Sequence, residues 1–268
     1  TSYIPTEGST VTRAADVASI SGDNFGVFRT NLLQYSEEFD NAAWDFDGCL
    51  AFGSGSTANA TTAPDGTLTA DLITQDSATS LHSVKRTAVF AVTAGQAYTL
   101  SVFLKTNGVE WVFLQLNGNI WTETGDRPRF WFNLSTGEEG SSDRNSGVGL
   151  TNFGDGWYRA HITATASTNA NTNLAIAMTV ADGNNSTFTG DGTSGIYVWG
   201  AQLEEGSTAT DYIKSDVNFV SRASSATYYD ANGVIQTAAV DEARTAAYVP
   251  DSNGNFISAG PLLLEDAG

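Results

Sequence analysis

Apolar and polar residues alternate along most of the middle of this chain, the pattern of half-buried strands. From Tyr98 to Lys105, the residues Tyr98, Leu100, Val102 and Leu104 share one face, and Thr99, Ser101, Phe103 and Lys105 share the other. From Trp111 to Asn117, Val112, Leu114 and Leu116 oppose Trp111, Phe113, Gln115 and Asn117. Phe130, Phe132 and Leu134 oppose Trp131 and Asn133. Tyr158, Ala160 and Ile162 oppose Trp157, Arg159, His161 and Thr163. Leu174, Ile176, Met178 and Val180 alternate with small residues, and Ile196–Leu203 is apolar on both faces until Gln202, as a central strand is.

Between these runs lie turn dipeptides that supply positive φ: Asp65-Gly66, Asn107-Gly108, Asn117-Gly118, Asp155-Gly156, Asn232-Gly233 and Asn253-Gly254. The stretch Asp182–Gly195 is rich in Gly, Asn and Asp and is expected to be a long exposed loop. Helical periodicity is nearly absent. Its one candidate is a single turn over Ser36–Ala43, with Ser36 as cap, and a short helix or none is expected there. Many strands without helices predict an all-β sandwich or barrel. We place it at residues 30–209, after a connector at 1–29 and before a second connector at 210–268. The second connector carries a predicted hairpin at Ala226–Thr237, a turn at Asp251–Asn255 and an apolar run at Pro261–Leu264.

Composition narrows the function. Of 268 residues 41% are hydrophobic, enough for a core, while 16% are charged, below the usual quarter. Twelve Lys and Arg face thirty Asp and Glu, a net charge of −18, and the densest basic pair is Lys85-Arg86. This excludes nucleic acid as a partner, because phosphate neutralisation needs clustered cations. Acidity of this kind keeps a protein soluble, with cation binding as a secondary reading. Cys49 is the only cysteine, so no intrachain disulfide forms, and no apolar run is long enough for a membrane-spanning helix.

The chain echoes itself. Thr1-Ser2-Tyr3-Ile4 returns as Thr210-Asp211-Tyr212-Ile213, and Val11-Thr12-Arg13-Ala14 returns as Val220-Ser221-Arg222-Ala223, both at an offset of 209 residues. One gapless register predicts a repeat of a larger array with part of the next repeat attached, and a start at Thr1 fits a segment cut from such an array. Arrays favour fibres, adhesins and polyvalent binders over single enzymes.

Several stretches, in order, carry a family resemblance. They are Thr30-Asn31-Leu32-Leu33, Tyr35–Trp44, Ala63-Pro64-Asp65-Gly66-Thr67-Leu68-Thr69-Ala70-Asp71, Gly154-Asp155-Gly156-Trp157-Tyr158-Arg159, and Gly190–Gly206 with its Tyr-Val-Trp-Gly-Ala-Gln-Leu-Glu core. Over residues 30–215 the chain resembles the carbohydrate-binding-module-like jelly rolls of bacteriophage tail and head fibres and related virion adhesins. The segment from Ser221 to Glu265 resembles the linker that precedes such modules. The resemblance implies a jelly-roll β-sandwich of two antiparallel sheets, located in a virion or otherwise extracellular. It implies a homo-oligomer whose role is either to bind host-surface polysaccharide or glycan, or to space neighbouring repeats and fibre subunits. The Pro that follows Tyr-Ile in the first copy, Pro5, is Lys214 in the second.

A sugar site needs an aromatic platform beside planar polar groups. The faces opposite the apolar ones offer Phe103 and Lys105, then Trp111, Phe113, Gln115 and Asn117, then Arg159 and His161. If these strands share one concave sheet, the groups converge in a cleft; otherwise Trp111 and Phe113 pack under a loop or against a neighbouring repeat. Trp121 and Trp131 lie at the long turn Asn117–Arg129, with Arg127 and Arg129. They serve either as rim contacts or as Arg–Trp stacks that pin the loop. Trp44, Trp157 and Trp199 are expected in the core. Asp182 and Asp191, with Asn184 and Asn185, could ligate a structural Ca2+, as in sugar-binding sandwiches that resemble this one. The spacing is not that of an EF-hand, and turn chemistry explains the same residues. No other cofactor is expected. His82 and His161 lack a second histidine at metal spacing, and no Gly-x-Ser-x-Gly elbow occurs, so no catalytic activity is expected.

Overall fold

The alternating runs assemble into two six-stranded antiparallel sheets packed face to face, as seen in a computed structural model. It describes residues 30–86, 89–122, 127–143, 147–215, 226–238, 244–250 and 255–262. The first sheet is ordered β1 (Trp44–Asp47), β5 (His82–Arg86), β14 (Leu174–Thr179), β8 (Trp111–Leu116), β9 (Arg129–Asn133), β10 (Glu138–Ser142). The second is ordered β11 (Val148–Gly154), β12 (Trp157–Thr165), β7 (Ala97–Asn107), β16 (Gly195–Glu205), β3 (Ala70–Thr74), β2 (Thr57–Thr61). Two short pairs complete this unit: β6 (Phe90–Val92) with β13 (Ala170–Thr172), and β4 (Thr79–Ser80) with β15 (Phe188–Thr189). No helix occurs among the described residues. The fold is an all-β sandwich, consistent with a jelly roll.

The inner faces are those the alternation predicts. Leu100, Val102 and Leu104 of β7 meet Val112, Leu114 and Leu116 of β8, Phe130 and Phe132 of β9, Ile162 of β12 and Ile176 of β14. All are essentially without solvent contact. Each such side chain contributes about 1.5–3 kcal/mol by leaving water. Val180 departs from expectation. Strand β14 ends at Thr179, so Val180 lies past the sheet and is more than half exposed.

Strand β16 shows why a run apolar on both faces belongs in the middle of a sheet. It pairs with β7 on one side and β3 on the other. Its register with β7 shifts between Trp199 and Gln202. The bulge reverses the alternation, so Ile196, Val198, Ala201 and Leu203 all enter the core while Trp199, Gln202 and Glu204 take the outer face. Gly200 occupies the bulge at φ +63°, and a Cβ there would stand 3.0 Å from Phe103 and 3.2 Å from Tyr212.

Of the two expectations for Ser36–Ala43, a short helix or none, the structure has none, because its residues are engaged elsewhere. Tyr35 takes φ 57°, outside the helical region. Ser36 Oγ pairs with Tyr212 Oη at 2.7 Å and accepts from Ser215 N at 3.1 Å. Glu37 accepts from Tyr212 Oη at 3.1 Å and Lys214 Nζ at 2.7 Å. Phe39 N instead donates to buried Asp71 at 2.8 Å. Residues 210–215, assigned by sequence to the connector, thus pack on the sandwich. Chain contacts likewise place the division after Asp216, giving one compact unit at Arg29–Asp216.

Asp71 also accepts from Asn59 N at 2.8 Å. Burial pushes its carboxyl up from 3.8 to about 6, against the pull of these backbone donors. The folded state therefore takes up this proton before the unfolded chain does, so the Asp71 contribution to stability rises as pH falls from about 6 toward about 4. Thermal melts at pH 6.5 and 4.5 are expected to favour the parent over Asp71→Asn increasingly on acidification. Parallel melting curves at both pH values would refute this.

The second unit contains the predicted hairpin. Strands β17 (Ala226–Tyr229) and β18 (Ile235–Ala238) pair in register, and β19 (Arg244–Pro250) and β20 (Phe256–Leu262) extend the sheet in the order β18-β17-β19-β20. Asp230 Oδ1 accepts from Asn232 N and Val234 N, which closes the turn. Asp251–Gly254 of the expected turn, the end of the apolar run at Pro261–Leu264, the first copy of the echo and Val220–Ala223 of the second lie outside the described residues.

Candidate functional site

Sandwich topology separates the residues expected to form one cleft. Trp111, Phe113, Gln115, Asn117 and Trp131 lie on or beside the outer face of the first sheet, through β8 and β9. Phe103, Lys105, Arg159 and His161 lie on the outer face of the second, through β7 and β12. The two groups back onto opposite sides of the core, so no shared concave sheet forms.

Each group also has a cover. Phe113, Trp131 and Ala177 form a small buried cluster with Trp111 at its edge. The loop after β14 lies over it: Trp131 Nε1 donates to Asn184 O at 2.9 Å, and Thr179 Oγ1 donates to the same carbonyl at 2.8 Å. Trp131 is therefore a buried anchor and not a rim contact. Trp121 is 2% exposed and belongs to the central core, edge-on to Tyr98, with Nε1 donating to Asn117 O at 2.9 Å. Gln115, Asn117 and Arg129 are half-buried but satisfy one another. Gln115 donates to Asn117, Arg129 Nε donates to Gln115 Oε1 at 2.7 Å, and Asn117 Nδ2 donates to Asn173 Oδ1 at 2.6 Å.

On the opposite face, Tyr212 covers Phe103. Its ring lies 4.5 Å from Trp199 and 6.1 Å from Phe103, and Phe153 caps Phe103 edge-on at 4.8 Å. Arg159 is buried, with its guanidinium 5.1 Å from the Phe103 ring and NH2 donating to Ser101 Oγ at 2.9 Å. Burial pulls the Arg159 pKa down, opposed by the negative charge of Glu204. His161 is half-buried over Gly149, and burial together with Arg159 holds its pKa low. Trp157 and Trp199 are buried as expected, but in a cluster on this outer face.

Of the proposed calcium ligands, Asp182 is held by strand β10 and Asp191 by its own loop. Asp182 accepts from Ser141 N at 2.6 Å and Ser141 Oγ at 2.8 Å. Asp191 accepts from Thr193 N at 2.8 Å, Ser194 N at 2.7 Å and Ser194 Oγ at 2.6 Å. Among the described residues no three His, Cys, Asp or Glu are grouped to hold a metal. These two carboxylates by themselves do not supply the six or more oxygen ligands that Ca2+ takes. His82 is a structural residue, buried with its ring nitrogens on the Gly48 and Phe188 carbonyls.

Among the described residues, an open depression of about 240 Å³ lies where β7 turns into β8. Half-buried Trp111 forms one wall, with Val180 and Phe188 nearby. Glu110 and Asp191 supply exposed carboxylates, and Gln75 and Ser194 complete the polar side. Hydrogen bonds from Ser194, Thr193 and Gln75 hold the Asp191 carboxyl well below the usual range, so it stays ionised. Gln75 is buried, and its Oε1 has no hydrogen-bond partner among the described residues. Among the described residues, no lysine or arginine lines the depression. Its polar side is acceptor-rich and its wall apolar, which suits a ligand with hydroxyl donors and a C–H face. Sequence reasoning named Trp111 as a sugar contact and Asp191 as a calcium ligand, and named none of Glu110, Gln75 and Phe188. Glu110 adjoins Trp111 after the Asn107-Gly108 turn and was findable; Gln75 carries no such signal.

No protein-family model matches the chain, and no curated protein matches it in sequence. Among solved structures it is similar to the enzymatically active domain of tailspike protein 4 from bacteriophage CBA120, at TM-score 0.39 and 9% identity, over 66% of this chain and 21% of that one. It is similar to the CBM22-1–GH10 modules of xylanase 10B from Clostridium thermocellum, at TM-score 0.38 and 17% identity, over 70% of this chain and 29% of that one. It is also similar to the CBM22-2 xylan-binding domain of Xyn10C from Paenibacillus barcinonensis, at TM-score 0.38 and 10% identity, over 68% of this chain and all of that one. The chain thus spans under a third of the first two.

Proposed function

We propose that this chain is a non-catalytic glycan-binding module of a virion fibre or related adhesin, working as one unit of a repeat array on the virion or another extracellular surface. The observation that carries the reading is the depression walled by Trp111, where an apolar face stands beside Glu110, Asp191 and Gln75. Carboxylates accept sugar hydroxyls in paired hydrogen bonds, and an indole covers the C–H face of a pyranose. With two carboxylates and no cation, the site favours neutral polysaccharide over polymers of uronic or sialic acids.

Binding of the full chain to neutral polysaccharides is expected to fall at least tenfold in Trp111→Ala, a loss of about 1.4 kcal/mol. Glycan-array or pull-down assays measure this, with EDTA expected to have no effect. Binding that survives Trp111→Ala moves the site elsewhere.

A second reading, a structural fibre repeat without ligand, is favoured by the burial of Phe103, Phe113, Trp121, Trp131 and Arg159, five of the expected contact residues. No polysaccharide binding, together with a concentration-dependent multimer by light scattering, would select it.

A further inference from the structure

Gln75 brings a buried acceptor to the wall of the depression at Trp111. The residue is 6% exposed, and its Oε1 has no hydrogen-bond partner among the described residues. Leaving a buried acceptor without a donor is costly. The hydroxyls of the lining are committed elsewhere: Ser194 Oγ donates to Asp191 Oδ2 at 2.6 Å, and Thr179 Oγ1 to Asn184 O at 2.8 Å. The backbone holds Gln75 in place from both sides. Gln75 N donates to Ser194 O at 3.0 Å, and Asp76 N to Gly48 O at 2.8 Å.

The amide cannot turn round to relieve its oxygen. Its nitrogen donates to the Asp191 carboxylate, which only accepts when ionised. The donors from Ser194, Thr193 and Gln75 hold that carboxyl well below the usual range, so it stays ionised and excludes the reversed amide, oxygen against oxygen. Asp191 is itself saturated. Oδ1 accepts from Thr193 N and Ser194 N at 2.8 and 2.7 Å, and Oδ2 from Ser194 Oγ. With Gln75, these donors fill the roughly four acceptor sites of a carboxylate. Direct contact with a ligand is thereby left to Gln75 and Glu110.

We propose that Gln75 Oε1 accepts a hydroxyl of the glycan bound against Trp111, and that Asp191 is the positioning residue that fixes the amide in this orientation. The site then demands a hydrogen-bond donor at one ring position, and it rejects sugars that are deoxygenated or O-alkylated there. The inference rests on the depression being the glycan site.

The full chain is titrated with xylan, mannan, galactan and β-glucan, then with an oligosaccharide of the best-bound polymer and its singly deoxygenated and singly O-methylated analogues. The parent is expected to lose about tenfold in affinity when one particular hydroxyl is removed or methylated. Gln75→Met keeps the length of the side chain, removes the amide, and is expected to lose nothing further at that hydroxyl. Additive losses at every hydroxyl, as follow if only water meets Oε1, overturn the proposal, and so does a parent with no penalty at any position. Asp191→Asn supplies a readout that a merely structural role does not move. The amide is then able to turn its NH2 toward the depression, so the penalty on the methyl ether falls below that on the deoxy analogue. Equal penalties in Asp191→Asn and the parent overturn the positioning role. Binding lost in Trp111→Ala but unchanged in Gln75→Met overturns this inference and leaves the glycan reading standing. A parent that binds none of the polymers, or binding that survives Trp111→Ala, overturns both.

Discussion

Trp121→Ala is expected to lower folding stability by about 3–5 kcal/mol while leaving glycan affinity per folded molecule unchanged. Its tryptophan lies in the central core at 2% exposure, edge-on to Tyr98, and its backbone bridges Ala166. Removing the indole leaves a cavity between the two sheets that the strands cannot close without breaking register. Lost hydrogen bonding adds little, because Asn117 O keeps its bond from Thr172 Oγ1 at 2.5 Å. Trp121→Phe restores part of the volume and is expected to recover a large share of the loss. Urea denaturation reads the first effect through the midpoint at constant slope, and binding of the folded fraction reads the second. A Trp121→Ala protein with parental stability and no glycan binding would restore the rim-contact reading and remove this one.

Glu204→Ala is expected to destabilise by a similar 3–5 kcal/mol, through charge instead of volume. Glu204 is fully buried, and its oxygens accept from Gln202 Nε2 at 2.7 Å, Thr210 N at 2.9 Å and Thr210 Oγ1 at 2.8 Å. Deleting the carboxylate strips these donors of that acceptor. It also removes the charge that most favours the cationic form of buried Arg159. Glu204→Gln keeps the size and one acceptor and is expected to lose less. The decisive measurement is a double-mutant cycle with Arg159→Met. If the two charges support each other, the double variant loses less than its singles combined. Strict additivity would show that Glu204 acts only through its hydrogen bonds with Gln202 and Thr210.

The candidate site was half legible before folding. Period-two alternation tells which residues share a face, and it placed Val112, Leu114 and Leu116 with Leu100, Val102 and Leu104 correctly in the core. It does not tell what covers the opposite face. Thr99, Ser101, Gln202 and Glu204 look like solvent-facing positions in the sequence, yet all four are fully buried. Trp111 was recognised because a tryptophan on a polar face is conspicuous. Gln75 was not, because its importance comes from Asp191 and Ser194, more than a hundred residues away.

By itself, the sequence determined the all-β class, the inner face of the principal strands and the hairpin at Ala226–Thr237. These follow from spacing along the chain, which local backbone geometry imposes on any strand or tight turn. The tertiary structure alone decided that β7 and β8 lie in different sheets, so the expected cleft became two separate outer faces. It also decided that the bulge at Gly200 reverses the alternation of β16, that the loop after β14 covers Trp131, and that Tyr212 covers Phe103. Each of these depends on contacts between residues distant in sequence, and the buried area and hydrogen bonds that select them exist only once the sheets have packed.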